Sequence, residues 1–452
     1  MSEVKKTNKV KIIYNENVKF IMILTCEECG QQSSSEDIWL WCKPCNAQHF
    51  KQEFNNWSSG NEVVDKFIQE TQLNALNHFQ KLEWIEYEKF TDIKYLSKGG
   101  FGKVHVATWK EGYIYKWDVK KKDWSRRYEL LGEIKVVLKS LYNSKNIPAG
   151  FFDEIKHQKN SLGVGGGYKI IPCYGITKDP ISNDFVMVMR YAEEGNLRKY
   201  LDKNFNSLDW YQKFKILRSV LKGLTQIHNA GLTHRDLHGG NIVMFDLEEA
   251  SITDFGLCKP INQDSESKKK QIFGVIPYIA PEVLRGEEYS QSSDVYSFGI
   301  LMNEVAIGLP PYNDVPHNNE LAIEIIQGRR PKIDARITPQ LFIQLFKSCW
   351  DAKPENRPMS QELMYQFDKW FGILNTEEEY DEFWKQVEKI EEKRKRGSIP
   401  NSPTFFESRI NYTTHPQAIY SSRLFNFPAF PLAKNAEPTS GKFNLIIYTY
   451  QL

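Results

Sequence analysis

His234-Arg235-Asp236-Leu237-His238-Gly239-Gly240-Asn241 places a carboxylate and a carboxamide five residues apart on one short loop. Asp236 is a candidate proton acceptor, and Asn241 offers an amide oxygen, a hard ligand suited to Mg²⁺. Downstream, Asp254-Phe255-Gly256 adds a second carboxylate, followed by a glycine that lets the backbone turn where a side chain would clash. A base and two oxygen ligands in this order suit the transfer of a phosphoryl group, where a metal ion neutralises phosphate charge while the base takes a hydroxyl proton.

Ala280-Pro281-Glu282 follows. In order and interval, the three motifs resemble the catalytic loop, metal loop and activation-segment end of the eukaryotic protein kinases. The resemblance implies an α+β fold, the bilobal protein kinase fold, with a small β-rich N-lobe and a large helical C-lobe. It also implies ATP and Mg²⁺ as cofactors and a protein substrate. Asp236, Lys139, Asn241 and Asp254 are then the catalytic set, and Asn241 and Asp254 the Mg²⁺ ligands.

The same resemblance implies the nucleotide-binding positions. Leu96-Ser97-Lys98-Gly99-Gly100-Phe101-Gly102-Lys103-Val104 resembles the glycine-rich flap, with Leu96, Ser97, Gly99, Gly100, Gly102 and Val104 near the nucleotide. Ser97 stands where the family usually has its first glycine. Val136-Val137-Leu138-Lys139 resembles the strand whose lysine pairs with the α- and β-phosphates, and Glu154, on the following helix, is the expected partner of Lys139. Lys116 and Asp153 are the weaker alternatives for these two roles. Met187-Val188-Met189-Arg190-Tyr191-Ala192 reads as the strand leading to the hinge, with Met189 as gatekeeper and the Arg190 and Ala192 backbones bonding adenine. Gln158, one turn after Glu154, is polar where kinases stack an apolar residue. Gly163-Val164-Gly165-Gly166-Gly167 lacks the lysine or hydroxyl of a phosphate loop and reads as a connector.

Further marks favour a protein substrate over a small molecule. Asp294 in Asp294-Val295-Tyr296-Ser297-Phe298-Gly299 is expected to brace the catalytic loop, and Arg357 to form a buried ion pair with Glu282. The stretch GVIPYIAPEVL from Gly274 to Leu284, with Cys349-Trp350, resembles the tyrosine-kinase-like group, whose members mostly modify serine and threonine. His238 and Gly240 fit neither the serine/threonine rule nor the tyrosine rule at their positions. Where His238 stands, serine/threonine kinases usually have a lysine, and an imidazole titrating near ~6.5 in water is only partly charged at neutral pH. A His238→Lys variant is therefore expected to gain more turnover at about pH 8 than at about pH 6, and equal gains would dismiss the charge argument. Arg235 is the expected receiver of a phosphate on Ser265 or Ser267 of the activation segment. Ser97, Gln158 and His238 together motivate the alternative of an ATP-binding pseudokinase or scaffold with little activity.

Before this region, Cys26-Glu27-Glu28-Cys29 and Cys42-Lys43-Pro44-Cys45 are separated by twelve residues. Paired thiolates on two knuckles suit a structural, tetrahedral Zn²⁺ held by Cys26, Cys29, Cys42 and Cys45. A disulfide framework needs an oxidising compartment, and no secretory leader is recognised. Cys173, Cys258 and Cys349 are scattered and read as buried, inert thiols. Val63, Val64, Phe67, Ile68, Leu73, Leu76 and Phe79 recur at helical spacing and suggest a joining helix. A four-cysteine module, a GNEVVDKFIQETQLNAL-type helix and an LEWIEY lead-in to a tyrosine-kinase-like domain resemble a large kinase family expanded in root-symbiotic fungi.

The expected organisation is a zinc-ribbon-like module over 1–60, a helical linker over 61–89, a kinase domain over 90–374, and a charged helix with a disordered tail over 375–452. The long connection from Trp109 to Lys135 carries Lys120-Lys121-Lys122 and reads as a solvated hairpin with no chemistry. The chain has 452 residues, 41% of them apolar, and a formal charge of +2, which makes no case for nucleic acid or a membrane as partner. Its longest apolar runs, such as Phe20 to Leu24, are too short to span a bilayer. A cytoplasmic protein is expected. Lys393-Arg394-Lys395-Arg396 reads as a solvated helix end before it reads as a nuclear signal, and a protein partner is expected for the zinc module.

Overall fold

Short strands and tight turns dominate the start of the chain, which a computed structural model describes at residues 10–15, 18–33, 41–98, 102–127, 132–141, 149–162, 169–245, 249–261, 272–373, 377–396, 413–427 and 432–435. The chain divides into two units, Met1–Tyr191 and Ala192–Leu452. In the first, β1 (Val10–Asn15), β2 (Val18–Thr25) and β3 (Gln32–Ser33) form an antiparallel sheet in sequence order. Gly30, at φ +71°, turns the chain between β2 and β3, where a Cβ would be strained. Helix α1 (Lys43–Glu53) begins after Cys42, its N-cap. Helix α2 (Glu62–Asn74) begins at Asn61, whose side chain accepts from the Val63 and Val64 amides.

The apolar stripe expected to run on to Phe79 breaks earlier. Ala75 is extended at ψ 129°, and Asn77 closes a turn by accepting from the amides of Phe79 and Gln80. Leu76 and Phe79 therefore lie beyond the helix.

The unit continues through β4 (Glu83–Trp84), β5 (Phe90–Lys98), β6 (Gly102–Trp109), β7 (Ile114–Asp118), β8 (Asp123–Arg126), β9 (Ile134–Leu141), helix α3 (Ala149–Asn160), β10 (Cys173–Lys178) and β11 (Phe185–Arg190). Six strands form one sheet in the order β4-β10-β11-β9-β6-β5, antiparallel except where β4 meets β10. Strand alternation decides its faces. Val136 and Leu138 of β9, with Val186 and Val188 of β11, bury into one core with Phe90 and Trp109, and Lys139 takes the opposite face.

The connection expected to be a solvated hairpin is a hairpin, with Lys120, Lys121 and Lys122 exposed at its turn. Its tryptophans, however, seat the cysteine module. Trp124 stacks on Phe50 of α1 at 4.2 Å and Trp117 on His49 at 3.6 Å between ring centres, and Trp41, Phe50, Ala75 and Ile114 are buried together. Below them, the buried Glu83 carboxylate accepts from the Ile114 amide and from Arg126, each at 2.8 Å, and from Lys81.

In the second unit the chain runs through α4 (Leu197–Asn204), α5 (Trp210–Asn229), β12 (Leu232–Thr233), β13 (Ile242–Met244), β14 (Ala250–Ile252), β15 (Lys259–Pro260) and β16 (Ile272–Gly274). There follow α6 (Pro281–Leu284), α7 (Gln291–Ile307), α8 (Asn319–Ile326), α9 (Gln340–Cys349), α10 (Ser360–Trp370), α11 (Glu377–Lys395) and β17 (Arg423–Phe425). Helix α7 is buried along nearly its whole length. Gly299 makes this possible, because a Cβ there would stand 2.7 Å from Cys349 Cβ of α9. Burial also pushes the Cys349 thiol up to about 12 and that of Cys173 up to about 11, which suits inert thiols.

Helix α11 is not a free charged helix. Phe383 and Val387 are buried, the Phe383 ring stacks on Trp370 at 4.5 Å, and Arg394 of the basic tetrad donates to the carbonyls of Asn206 and Leu208. Nor is the tail wholly without structure. Strand β17 pairs antiparallel with β16, matching Phe425 to Ile272, Leu424 to Phe273 and Arg423 to Gly274. Among the described residues no helix is long and apolar enough to cross a membrane.

Candidate active site

In the first unit, β9 lies between β11 and β6, so Lys139 has Met187 and Val104 as cross-strand neighbours. Its Nζ donates to Glu154 Oε1 at 2.6 Å, with the two side chains 11% and 6% exposed. The alternatives lie elsewhere, since Asp153 is exposed on α3 and Lys116 is exposed on the β7–β8 hairpin. Gln158 is buried one turn beyond Glu154, and its amide donates to the Ile171 carbonyl at 2.6 Å, so its polarity is satisfied. Two contacts hold α3 from the linker: the Phe152 ring lies 4.5 Å from Phe67, and Lys159 Nζ donates to the carbonyls of Phe79 and Lys81 at 2.9 Å each.

Leu96 and Ser97 lie on β5, with Ser97 opposite Val104, and Gly102 opens β6. Gly99 and Gly100 lie outside the described residues, as do the Gly163–Gly167 run and Ser265 and Ser267. Met189 is buried on β11, and Ala192 is the first residue of the second unit.

In the second unit, the buried Asp294 carboxylate accepts from the amides of His234 at 2.8 Å and Arg235 at 2.9 Å. It thereby fixes the loop that begins at His234, with His228 at 3.0 Å on the same carboxylate. Arg235 at φ +71° and Asp254 at φ +63° hold strained backbone, a cost of about 1–3 kcal/mol each that the surroundings must impose. The β13–β14 hairpin pairs Ile242 with Ile252, and Thr253 N–H donates to the Asn241 carbonyl at 2.9 Å, so Asn241 and Asp254 flank the same end of one ladder. Asn241 Nδ2 donates to the Asp236 carbonyl at 2.9 Å and to its Oδ2 at 3.0 Å, so both polar contacts to Asp236 use the amide nitrogen and not the Asn241 Oδ1.

His238 and Gly240, the two departures from both specificity rules, are one device. Gly240 N–H donates to His238 Nδ1 at 3.0 Å, and a Cβ on Gly240 would lie 2.7 Å from the ring. The ring proton is therefore on Nε2, which stands 3.1 Å from Ser422 Oγ and 3.5 Å from Asp236 Oδ1. Burial works against ionised Asp236, but His238, the Ser422 hydrogen bond and His234 outweigh it and hold the carboxyl below its usual range.

The four cysteine sulfurs of the N-terminal module all lie within 4.8 Å of one another, with Cys26 and Cys45 at 3.9 Å and Cys29 and Cys42 at 3.6 Å. Tetrahedral bonds of about 2.3 Å to one ion would set sulfurs about 3.8 Å apart, whereas a disulfide would bring them to about 2.0 Å. Burial pushes the Cys42 thiol up to about 11 and the Cys45 thiol further. The Cys29 thiol is lowered instead, by its hydrogen bond with the Gln31 backbone, and a bound cation would favour the thiolate at Cys42 and Cys45 against their burial.

Residues 90–367 match the family model described as protein tyrosine and serine/threonine kinase. The chain belongs to the protein kinase family. It is 29% identical over 293 residues to the probable serine/threonine-protein kinase gdt4 of Dictyostelium discoideum, a match covering 63% of this chain and 16% of that protein. It is 26% identical over 350 residues to receptor-interacting serine/threonine-protein kinase 2 of Bos taurus, covering 71% of this chain and 60% of that one. Receptor-interacting serine/threonine-protein kinase 4 of Mus musculus is 30% identical over 205 residues, covering 43% and 25%. The chain thus spans about one sixth of the length of the Dictyostelium relative.

Within this kinase domain, Glu282 and Arg357 form the expected buried pair, with Arg357 donating twice to the carboxylate at 2.7 Å. Sequence reasoning missed Ser422, whose hydroxyl donates to Asp236 Oδ2 at 2.5 Å. No motif marks it. It also missed Lys159, although a lysine among the apolar positions of a short helix was a signal to ask what it bonds.

Proposed function

We propose that this chain is an ATP-dependent protein kinase that transfers the γ-phosphate to serine and threonine hydroxyls of proteins in intracellular signalling. The observation that carries the reading is the Lys139–Glu154 ion pair, formed at 2.6 Å and buried. A pseudokinase reading rests on Ser97, Gln158 and His238. Gln158 and His238 are satisfied parts of their surroundings, not broken ones. Lys139 would bind the α- and β-phosphates, and Asp236, held ionised, would take the acceptor proton.

Asn241 Oδ1 and the Asp254 carboxylate are hard oxygen donors and fit Mg²⁺, which when bound neutralises phosphate charge. The serine/threonine preference is supported by Gly240 standing where tyrosine kinases carry arginine, and by the serine/threonine names of the relatives. The test is Mg²⁺-dependent transfer from ATP by the full chain to a generic protein, beside Asp236→Asn, with modified residues identified by mass spectrometry. Transfer to serine or threonine that disappears in the variant is expected. ATP binding without transfer in either protein would favour the scaffold.

Zinc is proposed for the cysteine cluster on its sulfur spacing. Metal analysis of the purified chain is expected to give about one zinc per chain, and Cys45→Ser to abolish it. Because α1 begins between two of the ligands and seats on Trp117 and Trp124, the same variant should quench or shift tryptophan emission. Full metal retention would dismiss the site.

A further inference from the structure

Residues 413–427 of the tail lie along the acceptor side of the catalytic loop and are anchored on both sides of Ser422. Upstream, His415 N–H donates to the Asn313 carbonyl at 2.9 Å, His317 N–H donates to the Gln417 carbonyl at 2.9 Å, and the His317 Nδ1 meets the Ile419 carbonyl at 2.9 Å. Tyr420 is held three ways. Its hydroxyl donates to the Pro311 carbonyl at 2.9 Å, the Arg198 guanidinium lies 4.1 Å over its ring, and the His317 ring meets it edge-on at 4.7 Å. Downstream, Arg423 donates to the His317 carbonyl at 2.6 Å and β17 adds a strand to β16 of the activation segment. Strand addition of this kind is a common way of presenting an extended peptide to a site.

Between these anchors, the direction of the hydrogen bonds is fixed. Gly240 N–H occupies His238 Nδ1, so Nε2–H is the donor to Ser422 Oγ, and the serine proton points at Asp236 Oδ2, 2.5 Å away. A tail that merely blocked the site would need no hydroxyl here. This one places a hydroxyl within proton-transfer reach of the base and holds its oxygen from a second side.

We propose that Ser422 is an intramolecular phosphorylation site, the acceptor that this kinase carries in its own tail. The inference rests on the kinase reading above. In the step, Ser422 Oγ bonds to the γ-phosphorus of ATP, the bond from that phosphorus to the bridging oxygen breaks, ADP leaves, and the serine proton passes to Asp236 Oδ2. The product sets a phosphate of about −1.5 to −2 charge against the Asp236 carboxylate, and like-charge repulsion drives the tail out. Modification of Ser422 thus opens the acceptor position to other proteins, and His238 acts as a positioning residue for the acceptor oxygen.

The test uses the phosphatase-treated full chain with ATP, Mg²⁺ and a generic protein, beside Tyr420→Ala, following Ser422 by mass spectrometry. Ser422 is expected to be modified with a rate per molecule that does not change on dilution, and labelling of the generic protein to start after a lag. Tyr420→Ala leaves the serine in place but loosens its anchor, so Ser422 modification should fall about tenfold or more while the lag shortens. Labelling of the generic protein with Ser422 unmodified overturns this inference and spares the kinase reading. A Ser422 rate that falls in proportion to dilution overturns the intramolecular step. Transfer to neither acceptor overturns both.

Discussion

The full chain carrying Asp236→Asn is expected to lose about 10²–10⁴-fold in kcat/KM for phosphate transfer, the ordinary contribution of a positioned base. The substitution isolates that role because an asparagine oxygen can occupy the Oδ2 position and keep accepting from Asn241 Nδ2 and the Ser422 hydroxyl, bonds of 3.0 and 2.5 Å. What disappears is the capacity to take the proton. A thermal melt close to that of the parent, measured on the same preparation, separates lost chemistry from lost folding. A variant that kept activity within a factor of a few of the parent would show that Asp236 is not the base.

The second large effect concerns stability. Arg357→Met leaves the Glu282 carboxylate buried at 5% exposure without either of its two 2.7 Å bonds, and it also removes donors to the Asp351 and Ser292 carbonyls. Breaking a buried pair from one side costs about 3–5 kcal/mol, which for a cooperative unit of this size lowers Tm by about 6–20 °C. Glu282→Met should also destabilise, because the buried guanidinium then loses its counter-charge and keeps only carbonyls such as those of Asp351 and Ser292. The double variant is expected to melt above both singles, since apolar groups of like size pack where neither charge is left alone. Melting temperatures that fell additively would show that the pair is not coupled.

Residues of the catalytic loop were legible because their chemistry is local. His234 through Asn241 sit on one short loop, and their spacing alone brings the Asp236 carboxylate and the Asn241 carboxamide together. Lys139 was legible for a related reason, since alternation along β9 puts Val136 and Leu138 in the core and leaves the lysine on the other face. Ser422 was not, because its partner Asp236 is 186 residues away in sequence and a three-residue strand has no periodicity to detect. The end of α2 was overshot for a third reason. Leu76 and Phe79 continued the apolar period, but Asn77 offered the backbone a competing turn and won. The tryptophans of the β7–β8 hairpin looked solvated because their cover, His49 and Phe50, comes from a different module.

The stretch shared with other kinases begins at Phe90, but the ammonium of Lys159, which lies inside that stretch, finds its oxygens at Phe79 and Lys81, which lie outside it. A genetic crossover at the edge of the shared stretch would hand a recipient gene a helix whose buried lysine keeps only the Cys173 carbonyl, 3.4 Å away. The hairpin inside the shared stretch would likewise arrive without the ring surface that covers it. A recombination that kept these contacts would have to cut before the cysteines and carry the cysteine module, the linker and the kinase domain as one block.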